Sequence, residues 1–557
     1  MGQRQAHLSR VKNQSFDLLV IGGGITGTGV ARDAARRGLR VALLERADLA
    51  SGTSSRSSKL VHGGLRYLEQ YEFGLVFESV SERRVLMDIA PHLVKPLAFV
   101  FPVYESFGRA ALIDIGMWLY DGLSLFRSPK IHKRLSKKGT AKVEPCLTTH
   151  ELKSAELYYD CATDDSRLTL ETALDAMRAG AQVVTWCPVV GFLHDERGRA
   201  LGVKVRDQLG GGHFEVHAGA IVNATGPWTD GLRGLALGAA ATARPRLRPT
   251  KGVHIVVDHA KLPVEHAVVL IHPEDERVLF AIPWGERTYL GTTDTDWDGD
   301  PALVAADLSD VDYLIQASAH FFPDNPLHYE DVTATWAGLR PLINQEGVHE
   351  SEISREHQVD VEPDGMVTVA GGKLTTYRRM AAEVVDKALD VLRMAGWEID
   401  PPRHADTARE PLPGAVGWPK DDDDSQLVAD IISASGELFA EDTARYLAGS
   451  HGMLGMDVAV LAAARPELAV RLVPGRPEVL ACVEWAVTRE LAATVDDVLQ
   501  RRLPLFFKDT DQGLGCAEAV ADHMVGLLGW TDERREAELA RYRHEVGISR
   551  AWRAELV

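Results

Sequence analysis

Residues 16–45, FDLLVIGGGITGTGVARDAARRGLRVALLE, decide how this chain is read. Phe16–Ile21 is an almost unbroken apolar run, the composition of a strand buried on both faces of a parallel sheet. Gly22, Gly24 and Gly27 follow at the spacing G-x-G-x-x-G. Gly22 lets the chain turn sharply, Gly24 lets the backbone approach a pyrophosphate, and Gly27 lets a helix pack closely on the strand. A helix opening near Ile25 offers N–H groups and a partial positive charge to that pyrophosphate. Arg40–Leu44 reads as the next strand. Glu45 closes it, 18 residues after Gly27, near the ~20 expected of a carboxylate that receives an adenosine ribose. The unit predicts a strand–loop–helix–strand dinucleotide site. A glycine-rich turn with no ligand would need neither the flanking elements nor the acid.

The motif alone does not separate NAD from FAD. Two distant segments favour FAD. Ala220–Pro227, AIVNATGP, is a strand ending in a small-residue turn at Gly226 that brings a second strand end to the dinucleotide. Val367–Tyr377, VTVAGGKLTTY, is a strand, a Gly371-Gly372 turn and a helix start over Lys373, Leu374 and Thr375. Such a helix N-terminus suits the pyrimidine edge of a flavin, where it stabilises negative charge on the reduced ring. Ahead of both, the Ser-rich loop from Ser51 to Tyr71 supplies Thr53, Ser54, Ser58 and Leu60 as further candidate cofactor contacts. Its serines also suit ordinary turns.

The whole chain has 557 residues, 45% of them hydrophobic, enough for two or three domains. A net charge of −19 argues against general nucleic-acid binding. Five cysteines lack metal-ligand spacing and read as reduced, mostly packed thiols of a cytosolic protein. The first 15 residues carry no apolar signal core. No stretch reads as a membrane span, the nearest being Ala110–Phe126, interrupted by two aspartates. Arg127, Lys130, Lys133, Arg134, Lys137 and Lys138 follow it. That pairing suits a membrane interface; the plainer reading is a core helix and a solvated basic loop. Residues 75–95 and 375–394 have helical spacing, and several β segments alternate with turns between 220 and 370, one turn being Trp284-Gly285-Glu286. Proline, glycine and aspartate cluster over 401–425 as in a linker, and 426–557 reads as a helical domain. Within it, Thr488–Arg502 reads as one helix with charges placed to suit its dipole.

With these segments on view, the chain resembles the FAD-dependent sn-glycerol-3-phosphate dehydrogenase family, the aerobic respiratory enzymes. The likeness is carried by Thr53–Glu69 (TSSRSSKLVHGGLRYLE), Lys251–Val256 (KGVHIV), Leu290–Thr295 (LGTTDT), Trp336–Pro341 (WAGLRP) and Gly371–Arg378 (GGKLTTYR). It extends over nearly the whole chain, apart from an N-terminal extension of about 15 residues and some divergence in the tail. It implies an α/β FAD-binding Rossmann-like domain interleaved with a mixed-sheet substrate (cap) domain of the D-amino-acid-oxidase-like type over 16–400, and an all-α C-terminal domain. It also implies oxidation of glycerol 3-phosphate to dihydroxyacetone phosphate, electrons passed to membrane quinone, peripheral attachment to the inner face of the cell membrane from the cytoplasm, and a homodimer.

By the same resemblance, Arg66, Tyr67, His254, Arg340 and Lys373 belong to the substrate pocket. A flavin-linked alcohol oxidation needs the C2 hydride aimed at the ring, the hydroxyl proton removed and the phosphate held. His254, Arg340 and Lys373 are the catalytic candidates around the reacting hydroxyl, with the proton acceptor left open among them. Read singly, Arg66 could pair with Glu69, His254 could be a structural strand histidine, and Lys373 could be an exposed lysine. The competing functions are an oxygen-using oxidase of glycerol 3-phosphate or a small amine, and a non-catalytic flavin-binding sensor.

Overall fold

The computed structural model describes residues 3–64, 72–123, 130–238, 245–344, 356–398 and 405–556. Two sheets dominate them. The first, of eight strands, has Phe16–Ile21 at its centre, parallel to Val41–Leu44 on one side and His213–Asn223 on the other. Gln182–Val184 and Val367–Gly371 extend it in parallel, and His357–Val361 closes one edge antiparallel. Every residue of the central strand but Asp17 is buried, as its apolar run predicts. Helices Ile25–Arg36, Asp165–Arg178 and Tyr377–Met394 pack together against this sheet through Val30, Ala34, Ala173, Ala381 and Val385.

The second sheet has ten strands. Its long member, Leu247–Asp258, pairs antiparallel with Val332–Ile343 on one side and Arg287–Gly291 on the other. Val278–Trp284 and Arg287–Gly291 form a hairpin about Gly285 (φ +67°), the turn read from Trp284-Gly285-Glu286. The mixed sheet and the nucleotide-binding sheet share an inner boundary, because strand Val332–Ile343 also meets strand Val367–Gly371.

From Ser425 onward the elements are helical. Buried charge pairs tie them to the first sheet: Arg501 and Arg502 both donate to Asp48 at 2.7 Å, and Arg167 donates to Glu490 at 2.8 Å. Burial disfavours the Asp48 carboxylate, but the two guanidiniums outweigh it and hold its pKa below the ordinary value. Residues 405–415 run along the nucleotide-binding helices, where the Thr407 and Glu410 carbonyls accept from Arg32.

Three local expectations are corrected. Thr488–Arg502 is not one helix: Leu480–Arg489 ends with Glu490 turned inward, Leu491 has φ +61°, and a separate π-helical turn spans Asp497–Arg502. Tertiary ion pairing of Glu490, Arg501 and Arg502 overrides the dipole pattern. The apolar stretch after Ala110 forms helix Phe107–Leu123, but it is not simply a core helix, because Leu112, Ile115, Trp118 and Leu119 are exposed. The basic residues after it are not a loop throughout: Lys133 and Arg134 lie in a strand, and Lys137 opens a short helix. In addition, the run Glu441–Ala464 has the length and apolarity of a membrane span, which the sequence reading passed over. It is half buried in the helical domain and broken at Gly452 (φ +58°).

Candidate active site

The two sheets enclose one elongated cavity of about 700 Å³. Its first end is the glycine loop. Gly22 has φ +113°, and a side chain there would strike the Ala224 carbonyl at 2.5 Å. A Cβ on Gly27 would lie 1.9 Å from the Gly22 carbonyl oxygen. The loop therefore closes on its helix only with glycine at both positions. The helix Ile25–Arg36 has Gly24 as its N-cap, with no side-chain cap from that residue. Its first N–H, on Ile25, donates instead to Ser54 Oγ at 2.9 Å. Glu45 stands buried at the end of its strand, accepting from the Gly23 N–H at 2.6 Å and the Ala47 N–H at 2.9 Å. It ties the glycine loop to the acidic strand end and still faces the cavity.

Along the cavity, Thr53 donates to the Leu339 carbonyl at 2.6 Å, which fastens the Ser-rich loop to the second sheet. Ser54, Ser58, Leu60, Gly226, Gly371, Gly372, Leu374 and Thr375 line the same space. Gly371 (φ +73°) and Gly372 (φ +93°) make the turn after their strand, and a Cβ on Gly371 would meet the Glu356 carbonyl at 2.5 Å. The features fit a long dinucleotide: a glycine cradle at one end, an acid beside it, and a backbone turn at the far side.

At the other end lie His254 and Arg340, on paired strands. Arg340 Nη1 donates to Asp294 Oδ1 at 2.9 Å, and Nη2 donates to Thr292 Oγ1 at 3.2 Å and the Thr293 carbonyl at 3.1 Å. The guanidinium sits over Gly252, where a Cβ would lie 2.7 Å from Nη2. His254 is stacked on Trp336 at 4.7 Å and 13°, and its Nε2 lies 2.9 Å from Ser58 Oγ. Burial, then Arg340 and Lys59, push its pKa well below the ordinary histidine value. The imidazole is neutral at pH 7 and has a lone pair to offer. Lys59 is itself fixed by a 2.6 Å ion pair with buried Asp165.

Lys373 lines the same cavity, and its Nζ donates to Ser79 Oγ at 3.4 Å. The three catalytic candidates thus share one cavity, but only His254 and Arg340 share a sheet. Arg66 and Tyr67 lie outside the described residues. The sequence reading missed Thr292 and Asp294, which brace Arg340, and Trp336, which stacks on His254. All three lie in the segments LGTTDT and WAGLRP, so their motif was in hand but their partners were not. Lys59 and Asp165 are 106 residues apart and gave no signal.

Comparisons with known proteins agree with this architecture. A family model described as FAD dependent oxidoreductase matches residues 17–389, and one described as the C-terminal domain of alpha-glycerophosphate oxidase matches 405–535. A glycerol-3-phosphate dehydrogenase of Mycobacterium leprae is 41% identical, over 98% of this chain and 90% of that protein. An aerobic glycerol-3-phosphate dehydrogenase of Staphylococcus saprophyticus is 37% identical, over 95% and 93% respectively. The crystal structure of the glycerol-3-phosphate dehydrogenase from Bacillus halodurans complexed with FAD superposes with a TM-score of 0.81 at 32% identity, covering 98% of each chain.

Proposed function

The chain belongs to the family of FAD-dependent glycerol-3-phosphate dehydrogenases, and from that premise we propose that it oxidises sn-glycerol 3-phosphate to dihydroxyacetone phosphate and delivers the electrons to membrane quinone. The observation that carries this reading is the placement of a braced cation and a neutral, buried histidine together at one end of the cofactor cavity.

When bound, the flavin supplies the two-electron acceptor. The protein's own residues supply orientation and proton handling. Arg340 cannot swing freely, because Asp294, Thr292 and the Thr293 carbonyl hold three of its N–H directions. A fixed positive charge beside the C2 oxygen lowers the cost of developing alkoxide. Neutral His254 takes the hydroxyl proton, directly or through the Ser58 hydroxyl at 2.9 Å. Trp336 holds the ring in plane for that transfer. Lys373, which lines the same cavity, is the third candidate beside the reacting hydroxyl, and by family likeness Arg66 and Tyr67 belong to the substrate pocket.

Attachment to the inner face of the cell membrane is part of the same reading. It is supported by helix Phe107–Leu123, whose Leu112, Ile115 and Trp118 are 59%, 65% and 54% exposed, and which Lys130 and Lys133 follow in sequence. An apolar face beside basic residues suits an anionic lipid surface.

The test couples product to acceptor. With glycerol 3-phosphate, the purified protein reduces a soluble quinone analogue and forms dihydroxyacetone phosphate, with little peroxide in air. Stoichiometric peroxide and a poor rate with the quinone would overturn the quinone assignment in favour of an oxidase.

A further inference from the structure

On the face of the second sheet that carries Phe101, Tyr158 and Trp336, but outside the lining of the cofactor cavity, a histidine and three carboxylates converge. Asp114 and Asp121 project from helix Phe107–Leu123, His132 precedes strand Lys133–Leu135, and Glu156 lies in strand Ser154–Thr163. One ligand atom each from Asp114, His132 and Glu156 lie within 4.8 Å of one another. Among the described residues no other group of three such side chains comes this close.

Two observations separate this group from an ordinary acidic patch. Glu156 is fully buried, yet neither of its carboxylate oxygens has a hydrogen-bond partner. A buried, unsatisfied carboxylate is costly. Among the described residues, the lysine or arginine within ion-pair range is half-exposed Arg134, whose Nε is 3.9 Å away, beyond hydrogen-bonding distance. His132 is the second. Its Nδ1 lies 2.8 Å from Asp121 Oδ2, while its Nε2 faces Asp114 at 3.6 Å. A carboxylate on Nδ1 orients the ring and leaves Nε2 facing the other two carboxylates. Two carboxylates and a ring nitrogen aimed at one point are a donor set that a positive charge between them would satisfy.

We propose that Asp114, His132 and Glu156 form a site for one divalent transition-metal ion, Zn²⁺ by type, with Asp121 orienting the histidine. The imidazole selects against Mg²⁺ and Ca²⁺, which take oxygen ligands, and favours a borderline ion. Ligand bonds of ~2.0–2.2 Å need only modest side-chain closure from the present spacing. The fourth position falls to water or to a second carboxylate oxygen. The ion joins helix Phe107–Leu123 to the two strands beneath it, so its role is structural: it fixes a helix whose outer face is apolar. Trp118 already packs edge-on against the His132 ring at 4.8 Å. The inference does not depend on the redox reading.

Untagged, FAD-loaded protein, stripped with chelator and dialysed, is titrated with Zn²⁺ by equilibrium dialysis, with thermal unfolding followed in parallel. The wild type binds one tight equivalent and its midpoint rises with Zn²⁺. His132→Gln and Glu156→Gln each lose that equivalent and the rise, and Asp121→Asn weakens binding about 10–100-fold. Retained FAD and unchanged anaerobic flavin reduction by substrate show that each variant is folded. The proposal is overturned if the wild type takes up no equivalent, or if the variants bind as it does. It is also overturned if Glu156→Gln raises the metal-free midpoint while the wild type is indifferent to Zn²⁺, since Glu156 is then a neutral carboxylic acid.

Discussion

The two ends of the cavity are built by opposite means. At the glycine loop the backbone does the work: Gly22, Gly27 and the helix N-terminus are neighbours in sequence, and Glu45 and Ser54 add side-chain hydrogen bonds from farther along. At the reacting end the side chains do the work, and each is held by residues far along the chain. Arg340 depends on Asp294 and Thr292, and His254 on Ser58 and Trp336. The first end is a local motif that any dinucleotide can use. The second is an assembly of strands whose side chains meet only in the folded chain.

This contrast is broken or sharpened by substitution at each end. Gly27→Val has the largest expected effect. The new Cβ would lie 1.9 Å from the Gly22 carbonyl oxygen, so the loop opens and the purified protein carries no yellow cofactor. A holoprotein with wild-type flavin content would show that close packing is not what builds this end. Arg340→Ala is next. It keeps FAD, and the limiting rate of flavin reduction falls by ~10²–10³ in anaerobic rapid mixing, the usual cost of removing one fixed charge-stabilising donor. Loss of FAD in that variant would erase the division between the two ends.

His254→Ala lowers the same rate by about 10² with FAD retained. The wild-type pH profile sharpens the assignment. Burial and the Arg340 charge depress the histidine pKa, so the base stays deprotonated through neutrality. The rate is therefore flat above the ordinary histidine range and falls only as pH drops below it. A fall centred above pH 7 that vanishes in His254→Ala would contradict the depressed value. The smallest effect belongs to Thr292→Val, which removes one of the braces on Arg340 and costs roughly 1 kcal/mol, about fivefold in rate.

The same division explains what the sequence disclosed. The strand, the three glycines and Glu45 were readable from residues 16–45 because their geometry is set by neighbours. The Gly371-Gly372 turn was readable for that reason too. His254 and Arg340 came from family likeness, and alone each had an ordinary structural explanation. Their braces were invisible because strand pairing, not spacing, brings Thr292 and Asp294 to Arg340. Residues 488–502 failed in the same way. Their helix-like charge pattern was overruled by Asp48 and Arg167, more than 300 residues away. Helix Phe107–Leu123 shows the converse: its composition announced a helix, but only its packing shows which apolar side chains stay outside.

Anaerobic mixing of the FAD-loaded protein with glycerol 3-phosphate tests the central claim most directly. The flavin absorbance near 450 nm is expected to bleach in a single turnover in the wild type, and to bleach far more slowly, from the same starting spectrum, in Arg340→Ala and His254→Ala. No bleaching of the wild type by this substrate, or equal rates in all three proteins, would contradict the account.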